Sequence, residues 1–126
     1  MTWSIEGRAV PITGAARGIG AGSARRLACR GGRVSLVGLE PEGLERVAAE
    51  LGEGAAWFEP DVTDRDALEA AIDGTVDRFG GIDAVMANAG VAPIGTVRAM
   101  EPAAFERTIQ INVLGPGARS GPACRT

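Results

Sequence analysis

The chain has 126 residues, enough for one domain with a buried core and too few for two. Its composition, 45% hydrophobic and 23% charged with a net charge of −3, is that of a globular domain and gives no reason to expect nucleic acid or an anionic membrane as partner. All 13 basic residues are Arg, and the absence of Lys, Tyr and His removes most of the side chains that move protons near neutral pH.

Met1 to Gly7 reads as a lead-in. Arg8 to Thr13 is a short apolar run and the first expected strand. Pro11 lies inside it, and a proline has no N–H to give to a ladder. Gly18 to about Arg30 is a helix, with Ile19, Ala24, Leu27 and Ala28 on one face and Gly31-Gly32 after it. Arg33 to Val37 is a second strand, Pro41 to Leu51 a second helix stopped by Gly52, and Ala55 to Phe58 a third strand. Thr63 to Phe79 is an amphipathic helix, capped by Thr63 or Asp64, whose buried side is expected to be Leu68, Ala71, Ile72, Val76 and Phe79. A fourth strand follows over Ile82 to Ala87. A last helix starts near Pro102 and carries Phe105, Ile109 and Val113.

From Gly115 to Thr126 the text turns to Gly, Pro and Arg with little to bury, so residues 116–126 are expected to form a loose tail behind a domain of residues 1–115. Strands alternating with helices imply βαβ units, a parallel sheet and right-handed crossovers. The expected fold class is therefore α/β, a Rossmann-like doubly wound parallel sheet that stops after about four strands.

No apolar run approaches the length of a membrane span and no signal peptide is recognisable, so the cytoplasm is the default location. Cys29 and Cys124 have no metal-ligand spacing and no His to join them, so no metal site is expected. A disulfide between them is disfavoured where thiols stay reduced.

The chemistry concentrates in Thr13-Gly14-Ala15-Ala16-Arg17-Gly18-Ile19-Gly20, between the first strand and the first helix. Glycines there allow a tight turn, close approach of a pyrophosphate and close packing of helix on strand, with the phosphates at the helix N-terminus. A P-loop is excluded because no Lys follows.

These residues match the T-G-x-x-x-G-x-G turn of a known family, and three further motifs follow in order. They are Asp61-Val62 after the third strand, Asn88-Ala89-Gly90 after the fourth, and Asn112 within Ile111-Asn112-Val113-Leu114-Gly115. Over roughly Ile5 to Gly115 the chain resembles the short-chain dehydrogenase/reductases.

The resemblance implies NAD or NADP as cofactor, bound by Thr13, Gly14, Arg17, Gly18, Ile19, Gly20, Asp61, Val62, Asn88, Ala89 and Gly90. It further implies Asn112 as a member of the family's catalytic tetrad, and hydride exchange between nicotinamide and an alcohol or carbonyl. Each residue also has a plainer reading. Asp61 suits a turn or helix cap, Asn88 a turn former, and Asn112 a structural place on its helix.

The sequence departs from the family in two places. Gly38 stands where an acidic residue usually meets the ribose 2′-hydroxyl. Glu40 lies two residues on, and Arg17 is of the type that meets a 2′-phosphate, so the cofactor choice stays open and tilts toward NAD. The family's Tyr-x-x-x-Lys segment is missing altogether, as are the fifth strand and the helices behind it. The family's homo-oligomer interface would then be largely absent, and strand 4 a bare apolar edge at Val85 and Met86. The expectation is a cofactor-binding part without a proton relay: a truncated or frame-shifted dehydrogenase, a dinucleotide-binding module without catalysis, or an unstable product.

Overall fold

Three parallel strands form the sheet, β1 (Ala9–Thr13), β2 (Arg33–Val37) and β3 (Ala55–Phe58), in the order β1-β2-β3. Between them run α1 (Gly18–Cys29) and α2 (Pro41–Leu51), with a short 3₁₀ turn at Gly52–Gly54, and then come α3 (Arg65–Phe79) and α4 (Pro102–Ile109). In this computed structural model, residues 3–60, 63–92, 94–96 and 98–114 are described. Asp61, Val62, Cys124 and the expected tail lie outside the described residues.

The helix ends follow local chemistry. Pro41 opens α2, where a missing N–H costs nothing, and Gly52 closes it at φ 73°. Asp64 caps α3 by accepting from the Ala67 N–H at 3.1 Å, and Gly80 ends it at φ 84°.

The strands alternate their side chains between two covered faces, as a parallel sheet requires. Register places Val10 beside Val34 and Ala55, and Ile12 beside Leu36 and Trp57. Those residues meet Ala21 and Ala24 of α1 and Leu44 and Val47 of α2 to make the main core. Pro11, Thr13, Ser35 and Val37 point the other way, toward Leu68, Ala71 and Thr75 of α3. Two hydroxyls are buried there. The Thr75 O–H donates to the Ala71 carbonyl at 2.8 Å, so the Ser35 O–H donates to Thr75 Oγ1 at 2.7 Å, and neither is left without a partner. Helices on both faces make the sheet doubly wound.

The fourth strand is much reduced. Over Ile82 to Ala87 only a parallel bridge between Ile12 and Met86 forms. The Met86 N–H donates to the Pro11 carbonyl at 2.9 Å and the Thr13 N–H to the Met86 carbonyl at 3.1 Å. One register step earlier the Ala84 N–H reaches the Ala9 carbonyl at 3.4 Å, and the return bond would need an N–H at position 11. Pro11 has none. The missing bond expected from the sequence therefore falls on this side of β1 and shortens its neighbour, while β1 itself keeps all five residues buried. At the strand start Asp83 takes the place of a ladder carbonyl, accepting the Ala9 N–H at 2.8 Å and pairing with Arg8 at 3.3 Å.

Three helix faces differ from expectation. In α1 the buried residues are Gly20, Ala21 and Ala24, while Ile19 is 75% exposed. In α3 the buried line is Leu68, Ala71 and Thr75, with Val76 exposed; a polar Thr was not expected inside, but its hydroxyl bonds make it acceptable there. In α4 no residue is buried. Phe105 and Ile109 face outward, and so does Val113 in the π-helical turn Gln110–Leu114, where Ile111 is the buried side chain. Among the described residues no helix is long and apolar enough to cross a membrane.

Candidate functional site

Every strand end on the carboxyl side of the sheet feeds one cleft. Gly14, Ala16, Arg17 and Ile19 come from the β1–α1 turn, Gly38, Leu39 and Glu40 follow β2, and Pro60 follows β3. Asn88, Ala89, Gly90 and Val91 come from beyond the Met86 bridge, and Ile111 closes the far side. The space is about 350 Å³. It lies where the sheet runs in opposite directions away from β1, toward β2 on one side and toward Met86 on the other. That is the switch point at which open α/β sheets take ligands.

Thr13 organises the floor. It is almost wholly buried, and its Oγ1 accepts two backbone bonds, from the Asn88 and Ala89 N–H groups, each at 3.0 Å. In return the Asn88 Nδ2 donates to the carbonyls of Thr13 at 3.2 Å and Gly14 at 3.4 Å. The first and third motifs are thus stitched together across 75 residues of sequence.

The two inner glycines are demanded by this closeness. A Cβ on Gly14 would lie 3.0 Å from Ala89 Cα, at a backbone φ of +67° that side chains avoid. A Cβ on Gly20 would overlap the Gly14 carbonyl and approach Asn88 Nδ2 to 2.8 Å. Gly18, at φ +59°, opens onto free space. The N-cap of α1, Arg17, makes no side-chain capping bond, and the Ala21 N–H donates to the Arg17 carbonyl at 3.3 Å. Among the described residues no side chain caps the first turn of α1 beside the cleft, and an uncapped helix N-terminus is the kind of arrangement that receives phosphate.

Asn112 stands on the π-helical turn after α4. Its Nδ2 donates to the Val91 carbonyl and its Oδ1 accepts the Val91 N–H, both at 2.8 Å. The side-chain amide is committed to holding the chain just after Asn88-Ala89-Gly90, and Gly90 makes room for it, since a Cβ there would lie 3.2 Å from Asn112 Oδ1.

At the cleft mouth Arg17 and Glu40 form an ion pair at 3.2 Å, with side chains 82% and 52% exposed. Gly38 lies nearby with no side chain of its own, and its N–H donates to the Phe58 carbonyl at 3.2 Å.

Ten of the residues named from the sequence are described. Nine of them, Thr13, Gly14, Arg17, Gly18, Ile19, Gly20, Asn88, Ala89 and Gly90, come together around this cleft. Asn112 reaches it through Val91. Ile19, expected on the core face of α1, instead points into the cleft. Leu39, Pro60, Val91 and Ile111 also line it. Position alone signals them, because each sits next to a residue already singled out or just past a strand end.

The sequence model for short chain dehydrogenase matches residues 8–119. The chain belongs to the short-chain dehydrogenase family. Short-chain dehydrogenase reductase 5 of Arabidopsis thaliana is 37% identical over 124 residues, covering 97% of this chain and 48% of the relative. The cis-4-hydroxycyclohexanecarboxylate dehydrogenase of Sinomonas cyclohexanicum is 42% identical, covering 86% of this chain and 45% of its own length. Among solved structures, a 3-ketoacyl-(acyl-carrier-protein) reductase from Brucella melitensis, complexed with NADH, superposes with a TM-score of 0.89 at 34% identity. That superposition covers 93% of this chain and 49% of the reductase. The chain thus spans about half the length of the relatives it matches, and within that half it has the short-chain dehydrogenase fold.

Proposed function

We propose that this chain is the cofactor-holding part of an NAD(P)-dependent oxidoreductase and that, by itself, it binds the dinucleotide without turning it over. The observation that carries the reading is the Thr13–Asn88 lock, which holds Gly14 and Gly20 at the closeness a pyrophosphate cradle needs. When bound, the cofactor would supply the hydride acceptor or donor for an alcohol or carbonyl. The chain's own residues would do the holding. The first-turn amides of α1 and the Gly18 backbone would face the phosphates, Ile19 and Ala89-Gly90 would line the path toward the nicotinamide, and Asp61-Val62 would sit against the adenine. Asn112 would act as a positioning residue through Val91.

No proton relay of the family's kind can be built from a chain with no Tyr, Lys or His. Glu40 tilts the cofactor choice toward NAD, because a carboxylate accepts from ribose hydroxyls and repels a 2′-phosphate. The chain would work in the cytoplasm, where a thiol such as the exposed Cys29 stays reduced.

Calorimetric titration of the folded chain with NAD and with NADP tests the binding. Heat from at least one is expected, and heat from neither would sink the reading. An assay with secondary alcohols or ketones should detect no turnover above that of a Gly14→Val, Gly18→Val double variant.

A further inference from the structure

A second cavity, of about 430 Å³, lies beside the cleft and shares Arg17, Gly90 and Val91 with it. Its far wall is α4, which contributes Ala104, Arg107 and Thr108, positions that recur on one helical face. None of these three lines the cleft, and Gly38, Leu39, Glu40 and Pro60 of the cleft do not line this cavity. Much of the wall is apolar, from Val91, Ala92 and Ala104. Other polar groups there are already used. Asn112 engages both the N–H and the carbonyl of Val91, and the Thr108 O–H donates to the Ala104 carbonyl at 2.7 Å. Among the described residues lining the cavity, the side chains with N–H groups to offer are Arg17 from the β1–α1 turn and Arg107 from α4, and no carboxylate stands with them. A guanidinium has five N–H donors, so the ion pair of Arg17 with Glu40 leaves others to give.

We infer that this cavity holds the carboxylate of an organic acid, so that the oxidoreductase to which the chain contributes acts on a hydroxy or keto acid, a substrate class that rests on the proposed dinucleotide site. Two guanidiniums bordering one cavity repel each other, and an anion between them relieves that repulsion. The planar fork of each matches the two oxygens of a carboxylate. The apolar wall adds a second requirement, because Val91, Ala92 and Ala104 gain only from covering an apolar body and not from a bare inorganic anion. With a net charge of −3 the chain as a whole repels acids, so the attraction has to be local. The shared Arg17, Gly90 and Val91 put the rest of such an acid next to the cleft. Both arginines are exposed, so replacing either leaves the core intact.

The test titrates the full chain with benzoate and with benzamide, its uncharged counterpart, and follows the backbone amide NMR signals. Benzoate should bind saturably and shift the amides of Ala92, Ala104 and Thr108. Benzamide should bind about tenfold more weakly, the scale of a charge-assisted hydrogen bond. Arg107→Gln and Arg17→Gln, each shown by circular dichroism to be folded, should each weaken benzoate by about tenfold and leave benzamide unchanged. Arg107→Gln should also leave the calorimetric affinity for NAD as it was, and benzoate should bind equally well to the chain saturated with NAD. Absence of benzoate binding, equal binding of benzoate and benzamide, indifference to either substitution, or displacement of benzoate by NAD overturns the inference while leaving the dinucleotide site standing. Tighter binding of inorganic phosphate than of benzoate overturns it too, in favour of a phosphate site. Binding of neither NAD nor NADP removes the dinucleotide site, and the substrate class with it.

Discussion

The half of the chain before α3 and the half after it are held in different ways. From β1 to β3 the chain is bound by burial: Ile12, Leu36, Leu44 and Val47 are fully inaccessible, and each strand touches helices. From Gly80 onward apolar side chains are exposed instead, among them Val85, Val91, Phe105, Ile109 and Val113, and α4 buries nothing completely. That second half is attached by a few polar fasteners. The main ones are Asp83 on the Ala9 amide, the Met86 bridge and Asn88 on Thr13, while Asn112 on Val91 ties the later part of that half to its earlier part. The cleft lies between the two regimes. One wall is set by a packed core and the other by a short series of hydrogen bonds, so the cleft should be lost before the fold is.

Substitutions on either side put this contrast to the test. Leu36→Ala removes a fully buried side chain and should lower stability by about 2–5 kcal/mol, read from the urea midpoint. Ile109→Ala, on the outward face of α4, should stay within about 0.5 kcal/mol of the parent. Equal losses would mean that the two halves share one core after all. Thr13→Val strips the acceptor from two partly buried N–H groups, for an expected cost of about 1–3 kcal/mol. Dinucleotide affinity should fall with it even where the chain remains folded, and unchanged affinity would argue against the lock as the basis of the cradle.

Pro11→Val restores an N–H facing the Ala84 carbonyl. It should stabilise the chain by about 0.5–1.5 kcal/mol and make the amide at position 11 resistant to hydrogen exchange. Fast exchange there would show that something other than proline keeps residues 82–87 from pairing.

The smallest effect is electrostatic. A hydrogen bond from Arg25, reinforced by that guanidinium's charge, holds the Glu50 carboxyl below its usual range. Because the folded pKa is the lower one, the contribution is present above the unfolded value and lost as pH falls through the folded value. Glu50→Gln should therefore flatten the acid side of the melting-temperature profile slightly. The difference should vanish at high salt, since both groups are solvent-exposed.

Much of this is legible in the sequence. β2, α2 and β3 run between the residues their punctuation predicts, because Gly52, Pro41 and the Gly31-Gly32 pair act through their own backbones. The site glycines are legible for the same reason: a short motif between a strand and a helix has few ways to fold. Helix faces are less so. The periodicity of α3 allows either Val76 or Thr75 inside, and only the presence of Ser35 opposite makes the hydroxyl the buried choice. In α4 the pattern Phe105–Ile109–Val113 indicates an apolar stripe but not what it faces. Arg17 and Glu40 are each visible as candidates with opposite implications, and nothing in their spacing says that they meet.

Residue type and short-range order are enough to establish the family, the alternation of strands and helices, the glycine cradle and the lack of Tyr, Lys and His. Four features wait on the folded chain: Thr13 bound to Asn88, Asn112 committed to Val91, Pro11 shortening the neighbouring strand, and Arg17 paired with Glu40. Each of those joins residues distant in the chain. A hydrogen bond or ion pair exists only once the sheet has brought its two ends within about 3 Å, and no local pattern encodes that distance.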